Sequence, residues 1–152
     1  MSSLFHYRAR IERHIDADSG KLTIDLGFST MLSNKTWRLY GCDTPESRTR
    51  DPIEKAFGLA SKEYVARLMP KGSWQTIQTF KDEREKYGRV LCDFIIYDPR
   101  QDRERSLVEM LIEDKMAVAY HGQSKDDIKQ AHLDNRKYLL EHGVVSVSPD
   151  YR

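Results

Sequence analysis

Apolar residues recur at every second position near the start of the chain. In residues 4–15 (LFHYRARIERHI) the odd positions Phe5, Tyr7, Ala9, Ile11 and Ile15 are apolar, and the even ones are mostly polar. A period of two predicts a strand with one buried face. The run Asp16-Ala17-Asp18-Ser19-Gly20 carries turn chemistry. Beyond it Leu22, Ile24 and Leu26 are apolar, so the second strand buries its even positions. A third strand is expected over residues 35 to about 42, where Trp37, Leu39 and Tyr40 gather.

The period then lengthens. Asp51-Pro52-Ile53-Glu54 combines an N-cap acid, proline at the first helical position and Glu three residues after the cap. Ile53, Phe57, Ala60, Tyr64, Val65 and Leu68 follow, mainly at spacings of three and four, until Pro70. That predicts a helix. Two more strands are expected over 73–80 and 87–97, the latter with Val90, Cys92, Phe94 and Ile96 on one face. Ser106 and Ser124 each open a capping pattern, for a second, short helix and a third one that stops before Gly143.

Three strands, a helix, two strands and two helices is the order of an α+β protein built on a five-stranded, OB-fold-like Greek-key barrel with three helices. An open meander packed on helices has the same order. The expected domain is the whole chain, 1–152, a length that suits one core. With 25 Lys+Arg against 24 Asp+Glu, the net charge of +1 excludes a polybasic arm. Any nucleic-acid site must be a local cluster of Arg and Lys. No apolar run is long enough to span a bilayer, and MSSLFHYRAR lacks the basic and apolar regions of a signal peptide. Cys42 and Cys92 fit neither a disulfide framework nor a zinc spacing. The expectation is a cytoplasmic, monomeric protein with reduced thiols.

The densest polar run is Arg38-Leu39-Tyr40-Gly41-Cys42-Asp43-Thr44-Pro45-Glu46. Asp-Thr-Pro-Glu alone is a common capping pattern. With Arg38 just ahead of it, a cation and two acids converge on one strand end, a set able to hold a metal and a phosphate together. The Asp16–Gly20 run is a hairpin turn and not an EF-hand loop, because Lys21 and Gly27 stand where its glycine and last ligand belong. Glu85-Lys86-Tyr87-Gly88-Arg89 reads as a turn before the fifth strand, and a lone arginine there is more often a solvated cation than a functional one. His6, His14, His121, His132 and His142 have no ligand spacing, so surface or capping roles are expected. Neither a G-x-S-x-G elbow nor a P-loop occurs.

Together, D-A-D-S, R-L-Y-G-C-D-T-P-E, the E-K-x-F-G helix, K-Y-G-R and A-V-A-Y resemble the staphylococcal nuclease (thermonuclease) family over nearly the whole chain. The resemblance implies Asp18, Asp43 and the Thr44 carbonyl as ligands of Ca2+, with Glu46 as general base. It further implies Arg38 and Arg89 as the clamp on the scissile phosphate, and Tyr87 and Tyr120 as residues of the nucleotide groove. The implied activity is hydrolysis of phosphodiester bonds in single-stranded or locally melted DNA, or in RNA, by an endonuclease. Two carboxylates and a carbonyl leave coordination sites for water and a phosphate oxygen, and paired guanidinium forks oppose the charge that develops on phosphorus.

The chain also departs from the family. Its D-A-D-S replaces D-G-D-T, Gly20 replaces an apolar residue, and the near-neutral charge contrasts with the strongly basic secreted members. The other reading is a non-catalytic nuclease-like OB module that binds nucleic acid or a protein partner. Such a module has no need of a general base, yet Asp18, Arg38, Asp43, Glu46 and Arg89 are all present.

Overall fold

The computed structural model describes residues 4–82 and 85–151. The expected domain range, 1–152, therefore reaches a few residues that lie outside the described ones. The elements in chain order are β1 (His6–Asp16), β2 (Ser19–Asp25), β3 (Met31–Leu39), β4 (Cys42–Asp43), α1 (Pro52–Leu68), β5 (Trp74–Phe80), β6 (Val90–Asp98), β7 (Arg103–Ser106), α2 (Leu107–Glu113), β8 (Val118–Ala119) and α3 (Lys125–Glu141).

The strands β3, β2, β1, β5 and β6 pair in that order, antiparallel throughout. The sheet then closes on itself. Trp37, Arg38 and Leu39 at the end of β3 pair in parallel with Val90, Leu91 and Cys92 at the start of β6. That closure is the five-stranded barrel and excludes the open meander. Strand β7 adds to β6 as a hairpin, and β4 pairs with β8 in a separate two-stranded ladder.

Ala9, Ile11, Leu22, Ile24, Trp37, Leu39, Ile77 and Phe94 fill the barrel. The Trp37 and Phe94 rings meet edge to face at 5.1 Å, the arrangement aromatic quadrupoles favour. Gly20 makes room for that indole. A Cβ at position 20 would stand 2.2 Å from the Arg13 carbonyl and 2.8 Å from Trp37 Nε1. Helix α1 starts where the capping pattern predicts, with the Asp51 carboxylate accepting from the Ile53 and Glu54 amides at 3.0 and 3.3 Å. Ser106 and Ser124 cap α2 and α3 through the Glu109 and Asp127 amides. Phe57 and Val65 of α1 and Leu107, Met110 and Leu111 of α2 complete the core.

Several expectations need correction. Strand β3 begins at Met31 rather than near residue 35, and it ends at Leu39 before a separate β4. Met31 to Lys35 are all exposed, so no burial alternation marks them as strand. The other two strands start at Trp74 and Val90, one and three residues later than expected. Phe5 and Leu26, expected in the core, are 62% and 38% exposed at the far end of the barrel. Ile15 is only half-buried, because β1 slips register between Ile11 and Arg13 and again between His14 and Asp16. Bulges of this kind reset the alternation of side chains.

Gly58 of α1 sets where the Glu46 loop lies. A Cβ on Gly58 would stand 2.2 Å from the Glu46 carbonyl oxygen and 2.6 Å from the Ser47 amide. Gly58→Ala gains about 1 kcal/mol of helix propensity yet drives a methyl into backbone. The expected outcome is a lower melting temperature than wild type, measured by circular dichroism. A variant of equal or higher stability would show that the loop can move away freely.

Candidate active site

The open end of the barrel gathers residues from four separate stretches. Ser19 pairs with Arg38 across β2 and β3, and the Leu39 amide donates to the Asp18 carbonyl at 2.8 Å. That pairing fixes Asp18 beside Arg38. Asp18 is 6% exposed, and its Oδ2 accepts from Arg38 Nη1 and, at 3.3 Å, from the Thr44 amide. Arg38 Nη2 lies 3.5 Å from Asp43 Oδ1. One guanidinium thus bridges two carboxylates. Pairing of β4 with β8 (Asp43 with Val118) fixes the Asp43 backbone, and His132 Nε2 lies 2.8 Å from Asp43 Oδ2.

Asp18, Arg38, Asp43, Thr44, Glu46 and Arg89 all line one cavity of about 320 Å³, together with Asp16 and Ser19. All six catalytic and metal candidates read from the sequence come together there. Glu46 sits exposed at the rim, and among the described residues its carboxylate makes no hydrogen bond or ion pair. Arg89 makes a two-pronged ion pair with Glu85, with Nη2 to Oε2 at 2.8 Å and Nε to both oxygens at 3.2 Å. Each guanidinium of the expected clamp therefore already holds a carboxylate.

The two tyrosines part company. Tyr120 borders an adjoining cavity of about 580 Å³ that shares Arg38 and Arg89 with the first, and its amide donates to the Gly41 carbonyl at 2.9 Å. Tyr87 is 81% exposed and borders neither of these cavities; its ring lies under the Arg89 guanidinium at 5.2 Å. Tyr40, stacked on Phe80 at 4.8 Å, lines the larger cavity in its place.

Charge at this end is tightly compensated. Burial opposes the positive charge of Arg38, but Asp18 and Asp43 outweigh it and raise its pKa. Burial likewise pushes against ionisation of Asp43, but the His132 hydrogen bond and the Arg38 charge hold its carboxyl below the ordinary range. Burial beside Asp18 pushes the Cys42 thiol up, so it stays protonated. The hydrogen bond from Arg89 lowers Glu85.

Asp16 takes a different part. Its Oδ1 accepts from the Ser47 amide at 3.1 Å and from the Ser47 hydroxyl, with Ser47 buried. It borders the cavity but braces the loop after Glu46 instead of meeting Arg38 or Asp43. Ala17 has no left-handed backbone, so alanine in place of the family's glycine leaves the turn unstrained. Two residues that the sequence places elsewhere also stand here, His132 at the surface or in a cap and Glu85 in a turn. His132 comes from a helix 89 positions away from its partner, with no local signal to mark it. Glu85 was visible only as part of a turn.

A family model described as staphylococcal nuclease homologue matches residues 36–138, well over half of the chain. The chain belongs to the staphylococcal nuclease family. No individual curated protein matches it. The family match begins inside β3 and ends inside α3. It thus spans Arg38, Asp43, Glu46 and Arg89, while Asp18 enters through its pairing with Arg38.

The Asp16 brace yields a stability prediction. Asp16→Ala leaves the buried Ser47 amide without an acceptor, a loss on the order of 1–3 kcal/mol. Thermal denaturation should show a clearly lowered midpoint. An unchanged midpoint would mean that water satisfies Ser47 equally well.

Proposed function

We propose that this nuclease-family protein is a calcium-dependent phosphodiesterase that hydrolyses DNA, RNA or both as an endonuclease. The observation that carries the proposal is the shared cavity. It joins two carboxylates gathered about one positive centre, a second guanidinium and, at the rim, a carboxylate unpaired among the described residues.

The donor set supports a hard cation. Asp18, Asp43 and the Thr44 carbonyl offer oxygen alone, and the nearby Cys42 thiol stays protonated. Thr44 Oγ1 is buried there without a hydrogen-bond partner, an orphaned polar atom that a bound water or ion would satisfy. Among the described residues no set of three His, Cys, Asp or Glu side chains surrounds one point. The rest of the coordination sphere thus falls to the carbonyl, water and substrate, which suits the flexible coordination of calcium better than strict octahedral magnesium. Bound there, the cation would polarise a phosphate oxygen and offset its charge.

The chain's own residues account for the other parts. Arg38 and Arg89 grip the scissile phosphate from two sides, exchanging Asp18, Asp43 and Glu85 for phosphate oxygens. Their planar forks match the geometry of the phosphoryl group and oppose the charge that builds on it. Glu46, without a partner among the described residues, takes a proton from the attacking water. The adjoining cavity, bordered by Tyr40 and Tyr120, receives the neighbouring nucleotide.

Plasmid and single-strand digestion should require calcium, and chelator should abolish cleavage without unfolding the protein. Undiminished cleavage in chelator would overturn the metal-dependent mechanism. Glu46→Gln keeps shape but removes the base, so cleavage should collapse while oligonucleotide binding survives. A wild type that binds but never cleaves would instead indicate a binding module.

The clamp is tested separately. Arg38→Lys and Arg89→Lys keep the charge but lose the fork, and each should lower turnover at least ~10²-fold, the scale of removing one transition-state donor. Near-normal turnover in both would show that these arginines serve only their carboxylate partners.

A further inference from the structure

We propose that His132 is a positioning residue that fixes Asp43 for cation binding. This rests on the reading of Asp43 as a metal ligand. His132 Nε2 lies 2.8 Å from Asp43 Oδ2, and the His132 side chain is only 14% exposed against 34% for Asp43. An ionised carboxylate can only accept, so Nε2 carries the proton and donates. Arg38 touches the other oxygen, Oδ1, more loosely at 3.5 Å. The imidazole thus pins one oxygen and aims the other into the cavity shared with Asp18.

A merely structural role for His132 is not needed. Helix α3 is already held by the buried Leu139, by Asn135 Nδ2 donating to the Ala117 carbonyl at 3.2 Å, and by Arg136 over the Phe57 ring at 5.6 Å. None of these touches Asp43. The nitrogen that His132 turns toward the site, Nε2, is the one engaged by Asp43, so the ring meets the site through that carboxylate. What it does is remove rotational freedom from a half-exposed carboxylate, as hydrogen bonds to metal-binding side chains commonly do.

The test is calorimetric titration of calcium into the nucleic-acid-free protein, with melting temperatures measured alongside. His132→Leu should weaken calcium binding ~10- to 100-fold, the usual cost of losing such a partner. His132→Gln, which presents an amide N–H at similar reach, should recover most of that loss. Leu139→Ala, which loosens the helix elsewhere, should lower the melting temperature and leave calcium affinity unchanged. Calcium binding by His132→Leu equal to wild type, or by His132→Gln no better than His132→Leu, overturns the inference while the metal reading stands. A wild type that binds no calcium overturns both.

Discussion

The contact on which the open end of this barrel depends is the ion pair between Asp18 and Arg38. Its carboxylate is almost fully buried, and its guanidinium is three-quarters so. Taking both charges from water costs several kcal/mol per ion, so such a pair is poor evidence of stability by itself. It is strong evidence of geometry. Once Asp18 is buried it must be satisfied, and its partners are Arg38 on β3 and the Thr44 amide just after β4. One side chain therefore ties the first hairpin of the barrel to the loop that carries Asp43 and Glu46.

The loop is held from its other side by backbone. Gly58 lets α1 rest directly on the Glu46 carbonyl, and Asp16 captures Ser47 from below. Glu46 thus has a fixed main chain and a side chain that, among the described residues, no neighbour claims. A base needs both. The same economy explains the glycine of the E-K-x-F-G pattern, whose place in mid-helix would otherwise cost stability.

Much of this was legible in the sequence because it is written in local patterns. Alternation gave the parity of β1 and β2, capping boxes marked all three helices, and Asp18 shared the buried parity of Leu22 and Ile24. Asp16 stays away from Arg38 and Asp43, and two register slips in β1 decide where it points. Met31 to Lys35 escaped notice because neither face of that stretch is buried. Tyr87 sits outside the cavity with its ring under the Arg89 guanidinium, a contact that no spacing rule anticipates. His132 was hidden for a deeper reason. A residue that matters only through a partner on another element leaves no periodic trace, and a single histidine on a polar helix looks like any other.

The near-neutral charge of the chain then takes on a specific meaning. Arg38 and Arg89, the cations facing this cavity, each hold a carboxylate at short range. Charges compensated in this way project little field beyond about a Debye length, roughly 10 Å. Under the proposed function, long-range steering of a polyanion is therefore weak, and recognition falls to exchange at contact. On that proposal phosphate displaces Asp18, Asp43 and Glu85 from the guanidinium groups, and the released carboxylates call for a cation in return. Phosphate binding and cation binding, as proposed, would thereby be coupled by the electrostatics of the pocket itself. Neither partner is well accommodated without the other, because either one alone leaves buried charge uncompensated.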